Sequence, residues 1–362
     1  MKRIEFHDRE REKKEIMDII DSEPSLITFV YGPINSGKTT LIDHLIGQLS
    51  DKYVPFYVNL RGRFITDYED FLNVLFEIEE GGVIDNVSEY AQSMIKDLKI
   101  LSGIPIPLNL FEQIFEKKDK SKDMFKYIER FFGEISKKRV PVLIIDELQV
   151  IGDLKIDEFL IYKLFNFFIR LTKEKHLAHV FVVTSDSLFI EQVYSEAMLS
   201  GRSRHIRVDD FDYATTMDFL DEYGFSYEEK ELAWEYCGGK PVCLVELINT
   251  RINNESMEEK VHKMFEVRKS QIRTVINELR LVGDELEYKG KKIEIVEERV
   301  LDALNSFSNI EYKNYDMLTI EEIYLVKRNI LFVDAVRGIL KPQSKLDLLA
   351  IRAVMRKLFT KV

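Results

Sequence analysis

Three short groups of residues in this chain are of types that do chemistry together. The first is Gly32-Pro33-Ile34-Asn35-Ser36-Gly37-Lys38-Thr39-Thr40. Two glycines separated by four residues, then Lys and Thr, allow backbone angles that a side chain forbids. Successive N–H groups can then converge on phosphate oxygens, with the Lys38 ammonium reaching the outer phosphates and the Thr39 hydroxyl ligating Mg²⁺. The plain alternative is an ordinary turn. The second group is Asp146-Glu147, which ends the apolar run 140–145. Asp146 is placed to complete a metal's shell, and Glu147 to take a proton from an attacking water. The third is Thr184-Ser185-Asp186-Ser187. Ser185 is expected beside the outermost phosphate, with Thr184 as the alternative; Asp186 or Ser187 can cap the next helix. A guanidinium that neutralises phosphoryl charge completes such a site. Arg202 is the first choice, with Arg204, Arg61 and Arg63 as rivals.

Elements must bring these groups together. The run 25–31 reads as a buried strand before the glycine loop, and 40–46 as a helix after it, so the helix N-terminus adds its positive dipole end to the loop. Further strands are expected at 54–59, 140–145, 178–183 and 206–208, and helices at 68–78, 90–101, 124–135 and 188–198. Alternating strands and helices predict an α/β doubly wound parallel sheet, whose ligand crevice lies at the carboxyl ends of the strands. Residues 81–120 read as an insertion or lid, and Phe165, Phe167 and Phe168 as core aromatics.

Composition narrows the class. The chain has 362 residues, 45% hydrophobic and 32% charged, which is enough for two or three domains. Two cysteines, Cys237 and Cys243, form no disulfide framework and fit a reducing, cytoplasmic setting. No apolar run has the length of a membrane span. The net charge of −11 argues against a uniformly basic nucleic-acid coat, although residues 251–362 carry 21 Lys and Arg against 18 Asp and Glu. Six histidines show no metal-binding spacing; His176 and His179 are expected at the surface or in caps.

Taken together, the motifs resemble the archaeal-type P-loop ATPases, a branch of the signal-transduction ATPases with ties to AAA+ origin-recognition proteins. The likeness rests on the box Phe6-His7-Asp8-Arg9-Glu10, the loop Gly32 to Thr39, Asp146-Glu147-Leu148-Gln149, Gly201-Arg202, and Gly238-Gly239-Lys240-Pro241. It implies ATP and ADP as ligands with Mg²⁺, and a glutamate strand beside the polar-sensor strand. Arg9 is implied near the adenine, and Gly239 and Pro241 beside the nucleotide. The Gly-Gly-Lys-Pro run is also a plain helix stop followed by a helix start.

The expected organisation is a P-loop NTPase core at 1–210, a helical lid at 211–255 and a winged-helix-like C-terminal domain at 256–362. The last rests on helices at 255–281, 295–307 and 320–326, a hairpin over 329–342 and a helix at 346–358. Lys327, Arg328, Arg337, Lys341 and Lys345 fall near the wing. The function implied is a slow, Mg²⁺-dependent ATPase switch with a protein partner on its C-terminal domain. The rivals are a DNA-binding initiator or transposition-helper ATPase and a non-catalytic, ADP-locked scaffold.

Overall fold

A strand covered on both faces must be apolar at successive positions, not at alternate ones. The computed structural model describes residues 4–79, 86–94, 101–115, 120–151, 160–186, 188–190, 193, 199–253, 255–288 and 290–359. The first seven strands are β1 (Ile27–Tyr31), β2 (Tyr53–Asn59), β3 (Phe76–Glu79), β4 (Ile104–Pro107), β5 (Val140–Asp146), β6 (His179–Thr184) and β7 (Ser203–Arg207). Five of them form one all-parallel sheet in the order β2-β5-β6-β1-β7. Every residue of β1 and β6 is buried, as the apolar runs require. The acidic strand β5 lies beside β6, the neighbour that the motif resemblance implies.

The chain divides into two compact units. One comprises Arg9–Tyr31 and Lys38–Arg207; the other comprises Met1–Asp8, Gly32–Gly37 and Val208–Val362. In the first, helices Glu10–Asp21, Lys38–Ile46, Lys120–Ile135 and Leu160–Ile169 accompany the sheet. Phe165, Phe167 and Phe168 are core residues, and Phe29 stacks on Phe165 with 5.8 Å between ring centroids. Each such burial contributes about 1.5–3 kcal/mol.

Three local expectations need correction. The helix predicted over 68–78 spans Tyr68–Leu75 and gives way at once to β3, which pairs in parallel with β4. Phe76 and Ile78 alternate with two glutamates, a two-residue period that the helical reading passed over. The last core strand begins at Ser203, three residues earlier than predicted, so Arg204 lies within it. His179 is not a surface or capping residue but opens β6 at 3% exposure. The helix expected at 188–198 and the insertion at 81–120 lie partly outside the described residues. Within the latter, Val87–Met94 and Leu108–Phe115 are helical and flank β4.

Burial, and then the neighbouring Arg204 charge, push the His179 imidazole down to about 4. Its Nε2 has no hydrogen-bond partner. In the unfolded chain the ring titrates near 6.5. The unfolded state therefore takes up the proton first, and stability is lost as pH falls from about 6.5 towards 4, by about 2–3 kcal/mol. Urea unfolding at pH 7.5 and 4.5 should show that His179→Phe loses less stability on acidification than wild type. An equal loss in both proteins would refute the assignment.

The second unit contains helices Tyr213–Asp221, Tyr227–Cys237, Pro241–Asn253 and Met257–Val282. They share a core of Phe219, Leu220, Leu244, Leu247 and Val261 with the buried free thiols Cys237 and Cys243. Ser226 and Glu229 close a capping box at Tyr227, and Thr319 and Glu322 do the same at the helix Ile320–Lys327. A hairpin not expected from the sequence, β8 (Glu285–Tyr288) with β9 (Lys291–Glu294), follows the long helix. The expected hairpin is present as β11 (Leu331–Asp334) and β12 (Ile339–Pro342). The short β10 (Lys313–Asn314) joins β12 in an antiparallel sheet ordered β10-β12-β11. Among the described residues, no helix is long and apolar enough to cross a membrane.

Candidate functional site

Parallel register decides which residues share the carboxyl edge of the sheet. Tyr31 aligns with Thr184 and with Arg207, Asn59 with Asp146, and Asp146 with Val183. The strand ends Tyr31, Asn59, Asp146 and Thr184 therefore line one edge, where ligands of open α/β sheets bind. The glycine loop leaves that edge after Tyr31, and the chain re-enters a helix at Lys38.

Asp146 is 1% exposed. Its Oδ2 accepts hydrogen bonds from Thr39 Oγ1 at 2.8 Å and from the Tyr57 hydroxyl at 2.9 Å. Its Oδ1 is buried with no hydrogen-bond partner. A buried carboxylate oxygen left bare costs stability unless something binds it. The hydroxyl and carboxylate oxygens converging there are the hard donors Mg²⁺ prefers. The described residues contain no group of three or more His, Cys, Asp or Glu able to hold a metal. A divalent ion here would thus complete its shell with water and ligand phosphates, as Mg²⁺ does. Burial, followed by the Asp146 charge, pushes the Tyr57 phenol pKa upward, so this hydroxyl stays protonated and keeps donating.

Glu147 turns away from β5 with φ 62°, the left-handed region, and its N–H donates to the Val183 carbonyl at 2.9 Å. Both carboxylate oxygens are engaged. Arg61 Nη2 donates to Oε1 at 2.9 Å, and Gln149 Nε2 donates to Oε2 at 2.5 Å. Gln149 Oε1 in turn accepts from Thr184 Oγ1 at 2.7 Å. The structure thus links Thr184 to the glutamate through Gln149; Ser185 follows in the bend after β6, partly buried. Asp186 Oδ1 accepts from the Leu188 and Phe189 amides, the capping role foreseen for it.

Among the arginines the register forces a correction. The Arg202 carbonyl accepts from Ile27 N at the start of β1 and β7, so Arg202 sits at the amino edge of the sheet. The strand carries it roughly 16 Å from the carboxyl edge, at about 3.3 Å per residue. Arg204 is held at the same end, with Nη2 donating to Ser25 Oγ at 2.7 Å. Arg61 is the rival that touches an acid of the site, and Arg63 is exposed. The Arg61 side chain is 57% exposed against 10% for Glu147, so the cation is the partner free to leave. An exposed pair is worth up to about 1 kcal/mol, about five-fold in a rate. On the ATPase expectation raised by the sequence, Arg61→Ala should raise phosphate release by about that factor. A fall in turnover would instead assign the guanidinium to the phosphoryl group.

In the other unit, the loop Gly32–Gly37 is seated against backbone. A Cβ on Gly32 would lie 2.0 Å from the Val208 carbonyl oxygen, and Ser36 Oγ donates to that oxygen at 2.7 Å. Pro33 is buried and accepts from Ser36 N at 3.3 Å, while Asn35 is exposed at φ 59° and Gly37 has φ 92°. Gly239 is similarly confined: its carbonyl accepts from Phe211 N at 2.9 Å, and a Cβ would stand 1.8 Å from Phe211 O. Gly238 ends one helix at φ 56° and Pro241 starts the next, as their order foretold. At the other end of the motif set, Arg9 is buried at φ 71° before the helix Glu10–Asp21, with Nη1 3.3 Å from Glu12 Oε1. Lys38 is buried and Thr40 exposed in the first turn of their helix.

A family profile for an ATPase domain predominantly from Archaea matches residues 6–247. The chain belongs to this archaeal ATPase family. A second profile, for the C-terminal domain of uncharacterized ATP-binding proteins of the MJ1010-like kind, matches residues 258–355 of the archaeal ATPase. The uncharacterized ATP-binding protein MJ1659 of Methanocaldococcus jannaschii is 47% identical over 368 residues, covering 99% of both chains. The similarly named PYRAB06260 of Pyrococcus abyssi is 47% identical over 98% of this chain and 99% of its own. The fold is shared with a Walker-type ATPase of Pyrococcus abyssi, at TM-score 0.59 and 16% identity over 96% of each chain.

Proposed function

We propose that this archaeal ATPase binds ATP with Mg²⁺, hydrolyses it slowly to ADP and phosphate, and uses the cycle as a switch. The observation that carries the reading is the buried, half-satisfied Asp146 carboxylate facing Thr39, next to Glu147. Relatives of nearly full matching length are named for ATP binding, which supports adenine over guanine.

In this reading the loop amides from Gly32 to Gly37 and the Lys38 ammonium gather the triphosphate. Thr39 and Asp146 would hold the metal; when bound, Mg²⁺ neutralises charge on the phosphate oxygens. Glu147 accepts the proton of the attacking water at Oε1 once Arg61 withdraws. Gln149 keeps hold of Oε2, and Thr184 keeps Gln149 oriented. Shedding that ion pair slows turnover by about five-fold at most, one contribution to the slow cycle of a switch.

A protein partner on the C-terminal domain is favoured over nucleic acid because four of the five cations expected near a wing are engaged within the chain. Lys341 lies 3.2 Å from Asp209, Arg328 pairs with Asp284, Arg337 with Asp334, and Lys345 covers the Trp234 ring. Cations already paired contribute little to counterion release on DNA. The test is phosphate release and adenine-nucleotide binding by the full chain. Turnover should require Mg²⁺ and stop with EDTA, and Lys38→Ala should weaken nucleotide binding at least about a hundred-fold. Metal-independent turnover, or unchanged binding by Lys38→Ala, would overturn the reading.

A further inference from the structure

The residue Ile34, third in the glycine loop, is held through its backbone at both ends. Its N–H donates to Gln343 Oε1 at 3.2 Å. Its carbonyl accepts from Lys240 Nζ at 2.9 Å. Both side chains are almost fully buried, Gln343 at 4% and Lys240 at 3% exposure. Neither is there for want of another place. A buried ammonium requires a counter-charge, and Asp210 supplies it at 3.0 Å. Gln343 is fixed at its other end: Nε2 donates to Leu331 O at 3.0 Å and its own N–H to Ile330 O at 3.1 Å. Its carboxamide thus spans from the loop to β11.

We propose that Gln343 and Lys240 are positioning residues for nucleotide binding: they set the shape of the phosphate loop through Ile34, and through Gln343 they make that shape depend on the β11–β12 sheet. This rests on the phosphate-loop reading given above. A loop binds an anion through amides already aimed at it, and reshaping the loop after encounter costs affinity. Ser36 and Gly32 lie against the Val208 carbonyl, and at Ile34 two buried side chains grip the loop. By linkage, what the C-terminal sheet does for the nucleotide, the nucleotide does for that sheet. Occupancy of the loop therefore protects β11 and β12, and loosening β11 and β12 releases the nucleotide. A partner that pulls on this hairpin would act as a nucleotide-exchange factor without touching the ligand.

Two measurements on the full chain test this. A fluorescent ADP analogue is titrated against wild type, Gln343→Leu and Lys38→Ala. The double variant Lys240→Met with Asp210→Asn is added, since it removes the buried charge pair as a unit and leaves no lone ion. Backbone amide exchange of residues 331–342 is followed in wild type with and without saturating ADP. The expected result is a five- to thirty-fold weaker ADP affinity in Gln343→Leu and in the double variant, and slowed exchange at 331–342 on adding ADP to wild type. Equal affinity in the folded variants, or exchange at 331–342 indifferent to ADP, overturns the proposal and leaves Gln343 a structural anchor. If wild type binds and Lys38→Ala does not, that failure leaves the ATPase reading standing; if wild type itself does not bind, the ATPase reading fails with it. Should Gln343→Leu not fold, the exchange measurement on wild type decides alone.

Discussion

Glu147→Gln is expected to keep ATP bound and to lose turnover by about a hundred-fold or more, the usual worth of a positioned general base. The environment of this residue makes the effect specific. In wild type, Oε1 faces the Arg61 guanidinium and Oε2 faces the Gln149 amide, so both neighbours are donors. A carboxamide has one accepting end and one donating end. Its oxygen can satisfy only one of them, and the other contact becomes donor against donor. The substitution therefore removes the base and disturbs its orienting network together, while Asp146, Thr39 and the loop are untouched. Single-turnover phosphate release alongside equilibrium ATP binding checks this. Loss of both binding and turnover would mean that Glu147 shapes the loop; undiminished turnover would remove it from the chemistry.

Gly32→Ala is expected to be the most damaging single-methyl change in the loop. The added carbon would stand 2.0 Å from the Val208 carbonyl oxygen, a backbone atom that cannot rotate away. Either the loop or the Val208 segment has to move, at a cost of about 1–3 kcal/mol in stability. Because the loop's amides are the proposed ligands for phosphate, nucleotide affinity should fall by more than the stability change alone suggests. Gly133→Ala is the control. Gly133 lies in the helix Lys120–Ile135 with nothing within 4 Å of the new carbon, so alanine there should stabilise by about 0.5–1 kcal/mol. Denaturant midpoints of the two variants should move in opposite directions. A Gly32→Ala protein as stable as wild type and with full affinity would show that the loop is not braced as described.

Much of the frame was legible because burial writes itself into neighbouring positions. A parallel sheet covered on both faces demands unbroken apolar runs, and the runs at β1, β5 and β6 ended at the residues proposed for the site. The glycine loop, Asp146 and Glu147 were legible for the same reason: each is specified within a few residues of its own strand end. What escaped notice is set by distant pairing. Tyr57 reads as one more strand aromatic until the β2–β5 register puts its hydroxyl on Asp146. Gln149 and Thr184 carry no local sign of their mutual contact. Arg202 was assigned to the site from its Gly-Arg step, but only the direction of β7 shows at which edge that step lies. Ile104-Pro105-Ile106-Pro107 fell inside the span read as an insertion or lid, and its two prolines speak against a central strand; among the described residues its sheet has two strands, each with a free edge where proline is tolerated.

The seating of the glycine loop has a consequence for how the protein is made. Its anchors at Val208, Lys240 and Gln343 follow it in the chain by 172, 206 and 309 residues from the groups they bind. A ribosome adding about 5–20 residues per second exposes the loop about 15–60 s before the last anchor exists. During that interval an emerging chain already displays its most recognisable motif but lacks the support that shapes it. Tight retention of nucleotide would then report that translation has reached the final helix, and a truncated product ending after β7 would carry the motif without the grip.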